Sequence, residues 1–173
     1  MFDPTVFDNL KVVIEGALYD LDLDGDLTIT DRKDELELAT MARHYRITFT
    51  RKDYHADRIN AYIDLTFDLY NLATELQSMS DRRPGCKLEI GFIVDIKTLD
   101  VCSTIPIILE KIWGETRTIQ QEISFDYNAN NKYTNNIKII FNRLLYEDNV
   151  DDLLEMLEYL LVSLQQINNV TSN

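Results

Sequence analysis

Residues 118–141 read TIQQEISFDYNANNKYTNNIKIIF, and this stretch decides the fold class. In its first part, the apolar residues Ile119, Ile123 and Phe125 alternate with polar ones. A period of two is typical of a β-strand with one buried face. An asparagine-rich segment follows, and then the β-branched run 137–141. Two such runs joined by turn-forming residues predict a β-hairpin, and therefore antiparallel strands.

The same alternation predicts further strands upstream. Segments 45–50 and 88–96 place apolar residues at every second position. Segment 11–23 is apolar on both faces near its start, which predicts a strand buried on both sides. We expect 26–30 to continue that strand or to pair with it.

Two segments fit more than one structure. Segment 31–44 has the composition of a helix, but it is also compatible with the beginning of the strand that ends at Thr50. Segment 103–114 is compatible with a short helix that has Pro106 near its start.

Two long helices are predicted. The first spans 53–79, with an acidic line on one side and apolar residues over most of its remaining surface. The second begins at Asn149, whose side chain we expect to cap it. An apolar stripe with spacings of three and four runs along this second helix: Val150, Leu153, Leu157, Leu160, Leu164 and Ile167. The stripe predicts a core-facing helix side, and a dimer seam is the alternative.

These elements predict a single α+β domain over residues 1–173. We expect a mainly antiparallel sheet of about five to six strands, with the two long helices packed on one side. A short similarity links 47–54 to 139–146. It raises the alternative of a strand-helix pseudo-repeat over 45–79 and 137–167.

The net charge of −13 excludes several classes of function. Residues 1–40 hold 11 acidic and 3 basic residues, and residues 144–173 hold 6 acidic residues and no basic one. Such a surface repels phosphate, so we expect neither nucleic-acid nor membrane binding. The apolar runs are too short for a membrane span, and the first residues do not resemble a signal peptide. We expect a cytoplasmic protein with Cys86 and Cys102 reduced.

The most specific motif is DLDLDGDLTITD at residues 20–31. It resembles the calcium loop of EF-hand and dockerin modules, with Gly25 at the sharp turn. The final position holds Asp31, which is shorter than the usual glutamate, and the flanking segments do not match a helix-loop-helix. The alternative is an acidic turn between strands. The resemblance implies these oxygen ligands for calcium: Asp20, Asp22, Asp24, Asp26 through its carbonyl, Thr28 and Asp31.

Catalytic signatures are weak. The two histidines, His44 and His55, do not belong to a recognisable motif, although His55 and Asp57 could form a base with its orienting carboxylate. The acidic line on the first predicted helix is Asp57, Asp64, Asp68 and Glu75. It fits a metal or acid-base cluster, and a solvated helix face is the more common interpretation.

The sequence therefore favours a non-catalytic protein-protein interaction module. In size and acidity it is similar to secretion chaperones and toxin-neutralising immunity proteins. We expect a protein partner of basic character, reached through electrostatic steering, and a homodimer. The alternatives are a calcium-binding module using 20–31 and an enzyme whose site is not visible in the sequence.

Overall fold

The computed structural model describes residues 5–55, 58–77, 81–128 and 132–172. Its six strands are β1 (Leu27–Glu37), β2 (Ala42–Arg51), β3 (Ile59–Phe67), β4 (Lys87–Ile96), β5 (Thr118–Phe125) and β6 (Tyr133–Ile140). They form one antiparallel sheet in the order β1-β2-β3-β4-β6-β5. The predicted α+β class with a mainly antiparallel sheet is confirmed.

The helices of the described residues are α1 (Thr5–Asp24), α2 (Leu69–Leu76), α3 (Thr104–Trp113) and α4 (Val150–Thr171). α1 packs over β1 and β3, and α4 packs over β3 and β4. α3 packs against α4. Among the helices that the structure describes, none combines the length and the apolar character needed to cross a membrane.

Alternation along the strands explains why only one face of the sheet is covered. In β2, Tyr45, Ile47 and Phe49 are fully buried beneath the helices, whereas Arg46 and Thr48 point to the opposite side. We call these two sides the helix face and the open face. The helix face carries the apolar core, and the open face is polar.

Two element predictions were wrong. Segment 11–23 lies in α1, because Leu10, Ile14 and Leu18 recur every fourth residue and all three are buried. The helix predicted over 53–79 is instead β3 followed by α2. In that segment the strand period dominates, since alternate residues from Ile59 to Phe67 are buried. The first copy of the proposed repeat therefore leads into a strand, whereas the second leads into α4.

The remaining segments agree better with expectation. Segment 31–44 divides between β1 and β2, and 103–114 contains α3. β6 begins earlier than predicted, at Tyr133. α4 begins after Asn149 as predicted, but the Asn149 side chain accepts a hydrogen bond from Tyr146 N and makes no capping bond. The predicted stripe of α4 is its core face, from Leu153 to Ile167, so these leucines are not available for a dimer seam.

Paired charges attach α1 to the end of the sheet. Arg43 of β2 contacts both Asp8 of α1 and Asp34 of β1, and Lys11 of α1 also contacts Asp34. The Arg43 hydrogen bonds hold the pKa of Asp34 below its usual value, with a further contribution from Lys11. The Tyr45 hydroxyl donates to Glu15 of α1 at 2.9 Å. These contacts join α1 to the charged distal half of β1, whose residues are exposed.

α1 ends in a glycine-dependent hydrogen-bonded turn. Gly25 has φ +86°, in the left-handed region that favours glycine. Gly25 N donates to Asp22 O at 3.1 Å, and Asp26 N donates to Leu21 O at 3.0 Å. These two bonds define a Schellman motif, which satisfies carbonyls that would otherwise be left unpaired at the helix end.

Two glycine substitutions in α1 should have opposite effects. Gly25→Ala should lower the free energy of unfolding by about 1 kcal/mol, because alanine is strained at positive φ. Gly16→Ala should raise it by about 0.5 to 1 kcal/mol, because Gly16 lies in the helix and its Cβ would meet open space. Urea denaturation of both variants measures the difference. Equal effects would contradict the assignment of the helix end.

Candidate functional site

The two edges of the sheet differ in how they are protected. β1 and β5 are the edge strands, and each exposes backbone groups on the side away from its single partner. An edge strand without protection tends to pair with another chain. The chemistry of these two strands therefore decides where an additional strand could bind.

β1 carries several features that block strand addition. Its register with β2 shifts between Ile29 and Asp31, which marks a β-bulge. Most of its residues after Ile29 are charged and exposed. These charged residues are Asp31, Arg32, Lys33, Asp34, Glu35 and Glu37. A bulge and a dense row of charges are established means of preventing edge pairing.

β5 lacks this protection. Its eight residues pair with β6 without a register shift, and the strand contains neither proline nor glycine. Its one charged residue is Glu122, which forms an ion pair with Lys138 on the open face at 3.8 Å. Among the described strands, β5 pairs with β6 alone. Among the described residues, β5 is therefore an edge strand without a bulge and with a single charged residue.

An apolar patch lies at the end of β5. Ile123 and Phe125 face the helix side but are 36% and 68% exposed. The ring of Phe125 contacts that of Tyr133 at 6.2 Å between centroids. We define the β5 patch as Leu99, Ile123, Phe125, Tyr127 and Tyr133. Leu99 and Tyr133 line one concavity, and Tyr127 is 91% exposed.

The open face holds a polar network whose members already pair with one another. Arg46 contacts Asp64 at 2.8 Å and lies over the Tyr62 ring. The Tyr62 hydroxyl donates to Glu89 at 2.8 Å, and burial together with this carboxylate raises the pKa of Tyr62. A Cβ on Gly91 would lie 2.1 Å from Tyr62 Cζ, so glycine is needed beneath the ring. This network stabilises the open face of the sheet.

Five of the six candidate calcium ligands lie on two elements, α1 and β1. Asp20, Asp22 and Asp24 belong to the last turns of α1, and Thr28 and Asp31 belong to β1. Asp22 Oδ2 accepts a hydrogen bond from Ile29 N at 3.2 Å, so it braces the turn. Asp26, the sixth, lies in the turn itself. In an EF-hand the loop wraps around the ion, whereas the first three aspartates here remain helical. Calcium binding in that manner requires the end of α1 to unwind, and the calcium site stays a prediction.

The other candidate residues are dispersed. His44 lies near the start of β2 with its Nδ1 3.1 Å from Thr66 Oγ1, and His55 lies beyond the end of that strand. The stretch from His44 to the end of β2 alone spans roughly 23 Å, so the two histidines do not form one site. In the described parts of the chain, no group of three His, Cys, Asp or Glu side chains is placed to hold a metal ion together.

The predicted acidic line does not exist as a helix face. Asp64 lies on β3 and pairs with Arg46, whereas Asp68 caps α2 by accepting from Asn71 N. Glu75 accepts from Thr5 N, and Asp57 lies outside the described residues. Both cysteines are free, and burial raises the pKa of the Cys86 thiol to about 12. Cys86 is therefore a poor nucleophile.

The sequence did not reveal the β5 edge. It predicted the strand and its alternation, but it assigned all of the alternating apolar residues to a buried face. Position within the sheet is set by long-range pairing, which alternation does not encode. The sequence feature that could have indicated it is the difference in charge between two strands: 118–125 has one charged residue, whereas 31–37 has six.

The comparisons with known proteins add no identification. No family model, curated protein or solved structure matches this chain.

The hydrogen-bonded end of α1 predicts that calcium does not stabilise the protein specifically. The thermal midpoint in millimolar calcium should equal that in magnesium at the same concentration, because Asp22 and Gly25 are already engaged in the turn. A calcium-specific rise that is lost in Asp20→Ala/Asp24→Ala would contradict this, because a ligand that binds only the native state must raise the midpoint.

Proposed function

We propose that this protein is a non-catalytic binding module that takes an extended segment of a partner protein as a seventh strand on β5. The observation that carries this proposal is the contrast between a blocked β1 edge and an unblocked β5 edge. The proposal retains the protein-protein interaction role that the sequence favours, and it assigns that role to a surface.

Backbone chemistry supports the binding mode. An added strand supplies N–H and C=O groups to those that β5 directs away from β6, and such main-chain bonds provide affinity in strand addition. Side chains on alternate positions of the added strand would lie over Ile123 and Phe125. Each apolar side chain that becomes fully buried there contributes about 1.5 to 3 kcal/mol.

Charge supports a basic partner. The net charge of −13 attracts cationic segments over distances longer than a contact, which raises the rate of encounter. The side of an added strand that faces away from the β5 patch remains in water, where lysine or arginine is favourable. The expected partner segment thus alternates apolar and basic residues.

We propose a non-catalytic role because polar side chains on the open face are held by partners within the protein. On the open face, the side chains of Arg46, Tyr62 and His44 each have a protein partner. We place the protein in the cytoplasm, where the free thiols of Cys86 and Cys102 stay reduced.

A second copy of this chain is the other occupant that the β5 edge admits. In a twofold antiparallel pair centred on Gln121, Ile119 lies opposite the partner's Ile123, and Gln120 lies opposite the partner's Glu122. The large negative charge of each chain opposes this pairing at low salt. The experiment below therefore measures homodimerisation separately from peptide binding.

A peptide-binding experiment tests the proposal. Labelled ten-residue peptides of alternating valine and lysine should bind at low salt, whereas alternating valine and glutamate should not. Affinity should fall about tenfold or more as salt rises, because steering and charge pairing are screened. The double variant Ile123→Lys/Phe125→Lys should lose binding, since inward-pointing charges block an edge. Fluorescence anisotropy gives the affinities.

The matched control is Leu36→Lys/Leu38→Lys. It places the same two charges on exposed apolar residues in the last part of β1 and in the turn just after it, so it should bind like the wild type. Equal binding by the two double variants would refute the assignment of β5. Sedimentation at micromolar concentration detects the second copy as occupant: a wild-type dimer that becomes monomeric in Ile123→Lys/Phe125→Lys would overturn the partner-segment proposal.

A further inference from the structure

A cavity of about 190 Å³ opens between α3, α4 and the adjoining ends of β5 and β6. Its aromatic residues are Trp113 from the end of α3, Phe141 just after β6, and Tyr159 from α4. Arg117, immediately before β5, and Arg143 also line it. This cavity lies at the opposite end of β5 from the β5 patch, and its chemistry differs from that of the edge.

The aromatic walls are held in place by packing and hydrogen bonds. The Trp113 ring makes edge contacts with Phe141 and Tyr159, each at 5.8 Å between centroids. Trp113 Nε1 donates to Ser163 Oγ at 2.8 Å, and Ser163 Oγ donates to Tyr159 O at 2.7 Å. The indole orientation is therefore fixed, and the cavity does not depend on a mobile wall.

Of the charged groups that line the cavity, Arg143 and Asp152 form an ion pair, whereas Arg117 and Glu155 form none with a described residue. Arg143 contacts Asp152 at 3.0 Å, and the Tyr159 hydroxyl donates to Glu155 at 2.7 Å. Arg117 has its guanidinium 4.8 Å from the Phe141 ring centroid. Its Nε is buried without a hydrogen-bond partner, and across the described residues Arg117 forms no ion pair.

An unpartnered buried donor is costly, and the natural partner of a guanidinium edge is a planar carboxylate. Stacking on Phe141 occupies one face of the Arg117 guanidinium, so a carboxylate would approach in the guanidinium plane and accept a forked pair of hydrogen bonds. The single positive charge of Arg117 matches the single negative charge of a carboxylate. A phosphate dianion would carry excess negative charge beside Asp152 and Glu155, in a chain that is already strongly acidic.

We propose that this cavity binds a monocarboxylate attached to an aromatic or branched apolar group, with the carboxylate on Arg117 and the apolar group against the exposed edges of Trp113, Phe141 and Tyr159. Its volume is comparable to the roughly 150 Å³ of a cavity that holds benzene. The same chemistry is presented by a free aryl carboxylic acid and by the C-terminal residue of a peptide. The site stands independently of strand addition on β5.

Trp113 is the chain's single tryptophan, so its fluorescence reports directly on this cavity. The first probe is 3-phenylpropanoate, compared with its neutral primary amide. The acid should change Trp113 emission saturably and bind about tenfold more tightly than the amide, as expected for a charge-assisted hydrogen bond. Equal affinities, or no saturable change with either compound, would overturn the proposal.

Three variants at two arginines assign the carboxylate to its partner. Arg117→Met should abolish the preference for acid over amide, and Arg117→Lys should retain part of it, because lysine keeps the charge but not the fork. Arg143→Met removes a guanidinium already paired with Asp152, so it should preserve the preference. A preference that survives Arg117→Met would refute the assignment. If Arg117→Met does not fold, the comparison of acid with amide on the wild type still decides.

A second pair of probes identifies the source of the carboxylate. N-acetyl-Gly-Phe with a free C-terminus is compared with its C-terminal amide and with 3-phenylpropanoate. Tighter binding of the peptide acid than of 3-phenylpropanoate assigns the site to a chain terminus, and the reverse order assigns it to a free acid. Both orders support a carboxylate site. If the peptide amide and the peptide acid bind equally well, the role of Arg117 is contradicted. The variant Ile123→Lys/Phe125→Lys separates the cavity from the β5 edge. The Trp113 signals should be unchanged in this variant, because the probes bind in the cavity.

Discussion

Burial on a single face of the sheet is the constraint on which the rest of this structure depends. α1, α3 and α4 all lie on the helix face, so the core forms there and the open face must be made stable in water. Arg46, Asp64, Tyr62 and Glu89 do this by pairing with one another. Because the sheet is open, β1 and β5 are its edge strands. β1 is protected by charge and a bulge, whereas β5 has neither, and we propose β5 as the edge that binds a partner segment.

The sequence predicted the fold class because strand alternation and the hairpin 118–141 are local signals. It failed where two periods competed. Segment 53–79 places Asp64, Asp68 and Glu75 on a helical line, but the alternation from Ile59 to Phe67 prevails because the strand is buried between β2 and β4. Segment 11–23 was predicted to be a strand because it has apolar residues on both faces. It is helical in the structure, because packing on the sheet buries the residues that recur every fourth position. Local patterns gave the elements that have one clear period, and tertiary burial decided the others.

The candidate sites were less predictable, because they depend on which elements become neighbours. The motif at 20–31 was visible, yet its glycine serves the end of α1, where Gly25 takes a left-handed conformation that is equally suited to a helix terminus. The aromatic cavity gave no sequence signal, since Trp113, Phe141 and Tyr159 come from three separate elements. The β5 edge was visible only as a weakly charged strand, and its place at the end of the sheet followed from the pairing of β4 with β6.

Amide hydrogen exchange along β5 tests the central claim most directly. In the dilute protein, about half of the β5 amides should exchange rapidly, because alternate N–H groups of an edge strand point away from its partner. Adding an alternating valine-lysine peptide should slow these amides and leave those of β1 unchanged. Slow exchange throughout β5 in the dilute protein would show that the edge is already covered. Protection that appears at β1 instead would contradict the account.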